Sequence, residues 1–517
     1  MESYLLGWDI GTSNIKAVLL SEGGLLRGNA AVPQEIRSPE PGYAELDPEE
    51  IWTKLLRVTD LLLEQTGVLS RTISAVGVSS LCPGLILLDR NMEPLHPAVI
   101  VLDRRSCTEA EELNRLPAGD AIREAGKNRI AAGANSLPWL LWFRRNRPEI
   151  WERMAVFGFL TSWLGYRLTG KFGLDYSGAS FTGLFETGGQ RIWRKDLALE
   201  TGIDPAVLPD LMPSGAELGR LKNRDLLGRG FSQGTIVAAG GADTACSALT
   251  LGVFDRGDRF LSLGTSGVLC GATDAPVFDD RCMNRCHVAG SGWLMNGAMS
   301  NTGLSVRWLQ SILKGENNPG EDAENHRLKD LTAPGFSDRL LEGTSPGAGG
   351  LVFLPYLTGE RTPVWDMTAR GAFFGLHAGT TGGDLLRAVL ESAGFGLRQI
   401  LEIIEPLTGV SEQLTVIGGG SVNHLWLQIL AEITGKRMVQ RECPEAAAAG
   451  AALLAGLAAG VYRNEREASR VIGKKTVREA VPEDPGNPVY EKNFAVYREL
   501  YPALRPLFHS FSRTHRV

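Results

Sequence analysis

Extended apolar runs are missing from this 517-residue chain, and so is any strong charge of one sign. The most membrane-like stretch, Ala446 to Val461, is mostly Ala and Gly. It falls short of the roughly 20 strongly apolar residues a bilayer span needs, so no membrane partner is expected; small side chains instead suit a buried helix that neighbours approach closely. With 53 Lys and Arg against 59 Asp and Glu, the formal charge is -6. Neither nucleic acid nor an acidic membrane surface would be attracted, although a local basic pocket for phosphate stays compatible with that balance. Cysteine is sparse: seven residues, odd in number and scattered, which argues against a disulfide framework and for reduced thiols in a cytoplasmic protein. Cys282, Cys286 and His287 resemble metal ligands in spacing, but no second cluster completes a tetrahedral set, and chance proximity in a loop is preferred to zinc. No secretory leader pattern is visible, because Met1 runs straight into strand residues Tyr4 to Trp8. A Walker A pattern is absent too. Ile472-Gly473-Lys474-Lys475-Thr476 has only its tail and reads as an exposed basic loop.

What the chain does contain is a short motif written twice. Asp9-Ile10-Gly11-Thr12-Ser13 and Leu263-Gly264-Thr265-Ser266 each follow an apolar strand and precede another. A turn of this kind gathers backbone N–H groups and hydroxyls, the equipment for holding phosphate oxygens. The length is too great for one core, so two domains are expected, with a boundary near Val253 to Gly257. The first half reads as a mixed α/β layout: strands at Tyr4–Asp9, Ile15–Leu20, Leu25–Val32, Ile73–Val78 and Gly84–Leu88, and an amphipathic helix over Pro48–Gln65 with Ile51, Leu55, Val58 and Leu62 on one face. Pro138 to Gly170 is helical and Trp-rich, its aromatics expected mostly in the core. In the second half, Gly315 to Gly350 reads as loop with short helices, and helices are expected over about Gly383–Ile404, Val422–Thr434 and Tyr490–Phe508. The division is therefore 1–253, 254–470, and a tail 471–517 whose helix packs back on the domains.

Four constellations carry chemistry. At the first turn, Asp9 beside Gly11, Thr12, Ser13 and Lys16 can hold Mg²⁺ through water, with Lys16 adding positive charge near a transferring phosphoryl group; the alternative is an Asp that satisfies its own turn. Gly240-Gly241-Ala242-Asp243 brings a lone carboxylate to a helix N-terminus, as an N-cap or as a general base, and the Gly pair, which lets a ligand approach backbone, tilts the balance to function. Gly264-Thr265-Ser266 is the second phosphate turn or simply a tight hairpin. Gly418-Gly419-Gly420-Ser421-Val422-Asn423 opens a helix after a buried strand, and three successive glycines are best explained by a ligand lying against backbone there.

These elements, in this order, resemble the FGGY carbohydrate kinases over essentially the whole chain, and most of all the xylulokinases among them. Further matches are Gly77-Val78-Ser79, Trp142 through Glu149, Tyr166 through Gly170, Asp175-Tyr176-Ser177 and, most specific, Tyr356-Leu357-Thr358-Gly359-Glu360-Arg361-Thr362-Pro363 continuing to Glu391. The resemblance implies two duplicated actin-like (ribonuclease H-like) ATPase domains with a cleft between them, the N-terminal one holding sugar and base and the C-terminal one the nucleotide. It implies ATP and Mg²⁺, a small sugar as substrate, and is compatible with a homodimer. It assigns Asp243 as catalytic base and metal neighbour, Asp9 to Mg²⁺, Thr12, Ser13 and Thr265 to phosphate, and Gly303, Gly419 and Asn423 to the nucleotide.

One segment departs from the family. Where xylulokinases carry Gln-Met-His and glycerol kinases Gln-Arg-Glu, this chain has Leu81-Cys82-Pro83, so the polar groups for sugar hydroxyls are gone. Leu160-Thr161-Ser162 likewise stands where xylulokinases often show Pro-Lys-Asp. A ketose remains the first expectation. An acceptor with an apolar end, such as a deoxy sugar, is one alternative for the departure; takeover of the polar contacts by Asp103, Arg105 or Asn135 is the other. A polyol or autoinducer-2-like substrate, or a non-catalytic clamp of actin or Hsp70 type, are further alternatives. Against the last stand the retained Asp243 and the lack of a peptide-binding region after Gly460.

Overall fold

The computed structural model describes residues 2–315, 340–443, 445–473 and 475–515; most of the polar stretch expected as loop between Gly315 and Gly350 lies outside them. The chain forms two compact units, and neither is contiguous. One comprises Met1–Asp255, Ala272–Met295 and Cys443–Gly473, the other Arg256–Gly271, Asn296–Glu442 and Lys474–Val517. Grouped by contacts, residues 272–295 and 443–473 go with the first unit and residues 474–517 with the second.

In the first unit, strands β1 (Tyr4–Ile10), β2 (Asn14–Ser21) and β3 (Leu26–Pro33) form an antiparallel meander. Helix α1 (Pro48–Thr66) starts where the Asp47 carboxylate accepts from the N–H groups of Glu49 and Glu50, and stops at Gly67 in the left-handed region, φ 66°. Its buried face is Ile51, Trp52, Leu55, Val58 and Leu62, the spacing of one helical stripe. Strand β4 (Ile73–Ser80) pairs in parallel with β1, and β5 (Ile236–Ala238) and β6 (Gly241–Ala242) pair in parallel with β4. Helix α2 (Asp243–Leu251) follows β6 directly. Trp139, Trp142 and Trp163 are buried, as core aromatics should be.

The glycines of this sheet explain the helix built from small residues. A Cβ on Gly7 would lie 1.9 Å from the Ala448 carbonyl oxygen, and one on Gly77 2.1 Å from that of Ala451. Only hydrogen at both positions lets the Ala446–Ala458 helix lie against β1 and β4, which is why this segment belongs to the first unit. The helix is buried along Ala446–Gly456 by a protein face, as the close-approach reading predicts. No helix among the described residues is long and apolar enough to cross a membrane.

The second unit repeats the central plan. Strands β7 (Arg259–Leu263) and β8 (Gly267–Thr273) form an antiparallel hairpin. Helix α3 (Thr302–Lys314) and the 27-residue α4 (Gly382–Thr408), started by a reciprocal Thr381–Asp384 capping box, come next. Strand β9 (Gln413–Ile417) pairs in parallel with β7, as β4 does with β1. After α5 (His424–Thr434), β10 (Arg437–Arg441) extends the parallel set, and β11 (Thr476–Ala480) closes it antiparallel. The terminal helix α6 (Pro488–His515) packs Tyr490, Phe494 and Tyr497 around Phe395 of α4.

Candidate active site

Parallel pairing decides which residues meet in the first unit. Register sets Asp9 beside Ser79 and Ile10 beside Ser80, and Gly241 and Ala242 beside Ser79 and Ser80. Three chain segments therefore leave the sheet at one end: the Gly11–Ser13 turn, Leu81-Cys82-Pro83, and Asp243. Leu81 N–H donates to the Ile10 carbonyl (2.9 Å), tying the second to the first.

Asp9 is 8% exposed and accepts from the Ser79 hydroxyl at 2.9 Å. Burial pushes its carboxyl up to about 7; Lys16 pulls it down, and the negative charge of Asp243 adds to the rise. Lys16 is ion-paired with Glu445 at 2.5 Å. Against the opposing pull of burial, Glu445 and Asp9 keep its ammonium charged. The turn itself is closed by Gly11 N–H on the Asn14 carbonyl (3.0 Å), and the Ser13 side chain is exposed.

Asp243 is the first residue of α2 and partly exposed. Its Oδ1 accepts from Thr244 N–H (2.6 Å) and the Thr244 hydroxyl (3.2 Å). Burial raises its pKa, while the Arg285 charge and the Thr244 hydrogen bonds hold it down. The Gly pair before it has a packing role: a Cβ on Gly240, at φ 84°, would lie 2.3 Å from the Val78 carbonyl oxygen, and one on Gly241 2.5 Å from Val288. Those glycines deliver Asp243 to its position by letting β4 and its neighbours close up, a reason distinct from ligand approach. Beneath lies Asp175, whose Oδ1 accepts from Ser177 N–H (2.8 Å) and the Ser214 hydroxyl (3.3 Å) and is also bonded to the Ser177 hydroxyl; Ser177 Oγ in turn accepts from Ala242 N–H at 2.9 Å.

On the side expected to face the acceptor, Leu81 and Pro83 are buried and Cys82 is partly exposed. Burial pushes the Cys82 thiol up, so it is a neutral, weakly polar group at physiological pH. Asp103 and Arg105 are committed elsewhere: Arg105 Nε donates to both Asp103 oxygens (3.0 and 2.9 Å), its Nη2 to Glu45 (2.6 Å), and Asp103 also accepts from Ala44 N–H (2.8 Å). Both side chains are at most 1% exposed, and Tyr43 stacks beneath the guanidinium at 4.0 Å. Asn135 is buried and accepts from Ala131 N–H.

Sequence reasoning passed over Arg285. It sits on the strand Met283–Cys286, is 4% exposed, and among the described residues its Nε and Nη1 have no hydrogen-bond partner. The signal was a charge in a buried strand, between cysteines weighed only as metal ligands. Neighbouring His287 uses both ring nitrogens, on the Val253 carbonyl (2.8 Å) and Ala289 N–H (3.0 Å), and burial lowers its pKa to about 4. Among the described residues, no group of three or more His, Cys, Asp or Glu is disposed to hold a metal.

In the second unit the parallel β7–β9 register does the same work. The Gly264–Ser266 turn is closed by Gly264 N–H on Ser266, Thr265 accepts from Arg307 at 3.0 Å, and Gly303 N–H donates to the Gly264 carbonyl at 3.1 Å. Gly418, at φ 89°, and Gly420 press on Leu263, where a Cβ of either would come within 2.7 Å. Asn423 caps α5 through Trp426 N–H (2.9 Å). Gly264, Thr265, Ser266, Gly303, Gly418, Gly419, Gly420 and Asn423 thus gather at one sheet end of the second unit, while Asp9, Gly11, Thr12, Ser13, Lys16 and Asp243 gather at one sheet end of the first.

Comparison with known proteins agrees with this doubled plan. The family model described as FGGY family of carbohydrate kinases, N-terminal domain, matches residues 4–250, and its C-terminal counterpart residues 260–459. The chain is 27% identical over 503 residues to the xylulose kinase of Staphylococcus xylosus, covering 96% of this chain and 100% of that one. It is 27% identical over 520 residues to the gluconokinase of Bacillus subtilis, covering 99% and 96%. The solved xylulose kinase of Rhodospirillum rubrum superposes with a TM-score of 0.85 at 26% identity, over 98% of this chain and all of the other.

Proposed function

The chain belongs to the FGGY family of carbohydrate kinases, and we propose that this ATP-dependent sugar kinase phosphorylates a hydroxyl of a small sugar with Asp243 as general base. The supporting observation is the convergence at one strand end of a phosphate-holding turn, a carboxylate beside a lysine, and a second, partly exposed carboxylate at the head of α2. The first unit supplies base and acceptor site, the second the nucleotide contacts around Gly264–Ser266, Gly303, Gly418–Gly420 and Asn423.

In the reaction, the acceptor hydroxyl oxygen forms a bond to the γ-phosphorus while the bond from that phosphorus to the β,γ-bridging oxygen breaks, releasing ADP. Asp243 takes the hydroxyl proton. The raised pKa of Asp243 brings its basicity closer to what the proton transfer demands, while the Arg285 charge and the Thr244 hydrogen bonds favour its ionised form. Lys16 adds positive charge where negative charge spreads over the equatorial phosphoryl oxygens. Asp9 and Asp243 are oxygen donors whose charges act on each other, a pairing that fits a hard divalent ion completed by phosphate oxygens and water; Mg²⁺ held there would neutralise phosphate charge. Cys82 offers the acceptor a surface without a strong hydrogen-bonding group, which favours a methyl, methylene or otherwise apolar part of the sugar at that point.

The test is ADP release in a coupled assay across ketoses, polyols, sugar acids and deoxy sugars. Acceptor-stimulated turnover is expected. ATP consumption that no acceptor raises above the basal rate would refute the reading.

A further inference from the structure

We propose that Arg285 binds the acceptor and that this acceptor carries a carboxylate: a small sugar acid in place of a neutral ketose. The inference rests on the reading of Asp243 as base toward a sugar hydroxyl, and specifies the sugar.

The starting observation is a cation with nothing to hold. Arg285 is 4% exposed, makes no ion pair among the described residues, and leaves Nε and Nη1 without hydrogen-bond partners. Burial of a charge is costly unless an opposite charge and hydrogen bonds compensate it, so a buried unbonded guanidinium is a site awaiting an anion. Phe181 lies under the guanidinium at 4.3 Å and fixes its plane, leaving the edge to bind.

Position narrows the anion. Cys82 packs against the buried cluster that contains Cys286, the residue after Arg285. Val288, just beyond that strand, lies against Gly241, two residues before Asp243, where an added Cβ would come within 2.5 Å. This packing sets Arg285 near the base and near the one partly exposed member of Leu81-Cys82-Pro83, and its charge acts on both Asp243 and Cys82. Asp9 and Lys16, at the phosphate turn, act on each other and with Glu445, and Asp243 also acts on Asp9. The unbonded cation is thus on the acceptor side of Asp243, near the Leu81-Cys82-Pro83 segment in which polar side chains for sugar hydroxyls have been replaced. Asp243 does not occupy it: no ion pair joins Asp243 to Arg285 among the described residues, where Arg285 Nε and Nη1 have no hydrogen-bond partner. Apolar Cys82 and Pro83 with one unbonded guanidinium describe a site for a short chain with a charged end, and the planar donors of Arg suit a carboxylate.

The experiment compares D-gluconate and D-xylonate with D-xylulose, D-ribulose and xylitol, using the full chain and Arg285→Met. It reads ADP release and, separately, thermal melting with each compound in the absence of ATP. For the parent chain, a kcat/KM preference for an aldonate of about 10²-fold or more is expected, shrinking to within about 10-fold in Arg285→Met, because unpairing a buried charge discriminates strongly. Aldonates alone should raise the parent melting temperature, and the variant should lose that response. If Arg285→Met does not melt cooperatively, Arg285→Lys keeps the charge without the planar donors, and is expected to raise KM for aldonates about 10-fold with kcat little changed.

Highest turnover with a neutral ketose, or an Arg285→Met loss equal for acidic and neutral acceptors, overturns the assignment while leaving Asp243 as base; the second result would place Arg285 on the transferring phosphoryl group instead. An aldonate melting response that needs Arg285, without ADP release from any acceptor, upholds the anion site and sinks the kinase reading. No aldonate response in either assay overturns the inference.

Discussion

Replacing Asp243 with asparagine isolates the proton transfer from the architecture that supports it. The amide oxygen of the substituted side chain can still accept from Thr244 N–H and hydroxyl, the 2.6 and 3.2 Å contacts that start α2, so the helix retains its first turn. What disappears is the charge and with it the proposed proton acceptor. General bases are worth about 10²–10⁴ in rate, or about 2.7–5.5 kcal/mol of barrier at about 1.4 kcal/mol per decade. The kcat of Asp243→Asn is therefore expected to fall by about 10²–10⁴. The proposed nucleotide contacts lie in the second unit and should persist: ATP at 100 times its Kd should still stabilise the variant by about 2.7 kcal/mol, readable as a melting shift equal to that of the parent. The assay is sugar-dependent ADP release alongside melting with and without ATP. Turnover within about 5-fold of the parent, with ATP stabilisation unchanged, would refute Asp243 as base.

Two further outcomes follow from the same geometry. Because burial raises the Asp243 pKa and the proposed base acts in its ionised form, kcat should fall on the acid side with an inflection above the ordinary carboxylate range; the Thr244 hydroxyl favours the charged form, so Thr244→Val should move that limb to higher pH, and a limb that stays put or moves down contradicts the assignment. Gly77→Ala puts a methyl 2.1 Å from the Ala451 carbonyl oxygen, an overpacking expected to cost about 1–3 kcal/mol and several degrees of melting temperature. Gly126→Ala, where nothing lies within 4 Å, is the matched control and should be neutral or slightly stabilising. Equal melting of the two variants would contradict the packing argument.

How much could be seen in the sequence depended on how local the information was. The α1 stripe Ile51, Leu55, Val58, Leu62 and the strand–turn–strand motifs at 4–21 and 259–273 are written within a few residues of themselves, and the structure has them where spacing puts them. The long helix expected from Gly383 runs from Gly382 to Thr408, and that expected from Tyr490 runs from Pro488 to His515. Glycines were legible as constraints but ambiguous in cause. Gly240, Gly418 and Gly420 all stand against neighbouring backbone or Leu263, and a ligand and a packed strand demand the same absence of a side chain. What no local pattern carries is which distant segment completes a layer. The Ala446–Ala458 helix joins the first unit because of hydrogens at Gly7 and Gly77, more than 350 residues earlier in the chain.

The same limit governs polar residues, and there it runs in both directions. Asp103 and Arg105 are the kind of residues a sugar site recruits, yet Glu45 and Ala44, far back in the chain, consume their hydrogen-bonding capacity. Arg285 is the converse: its strand neighbours are buried with it, and its significance is that, among the described residues, none arrives to bond its Nε and Nη1. Charge alone does not distinguish these two arginines, since both side chains are buried and both lie over an aromatic ring. Hydrogen-bond partners do. An arginine whose donors are satisfied holds the fold together. An equally buried arginine with idle donors beside a candidate base is where substrate choice can be exercised, and it is at that residue that the acceptor of this kinase can be read by substitution.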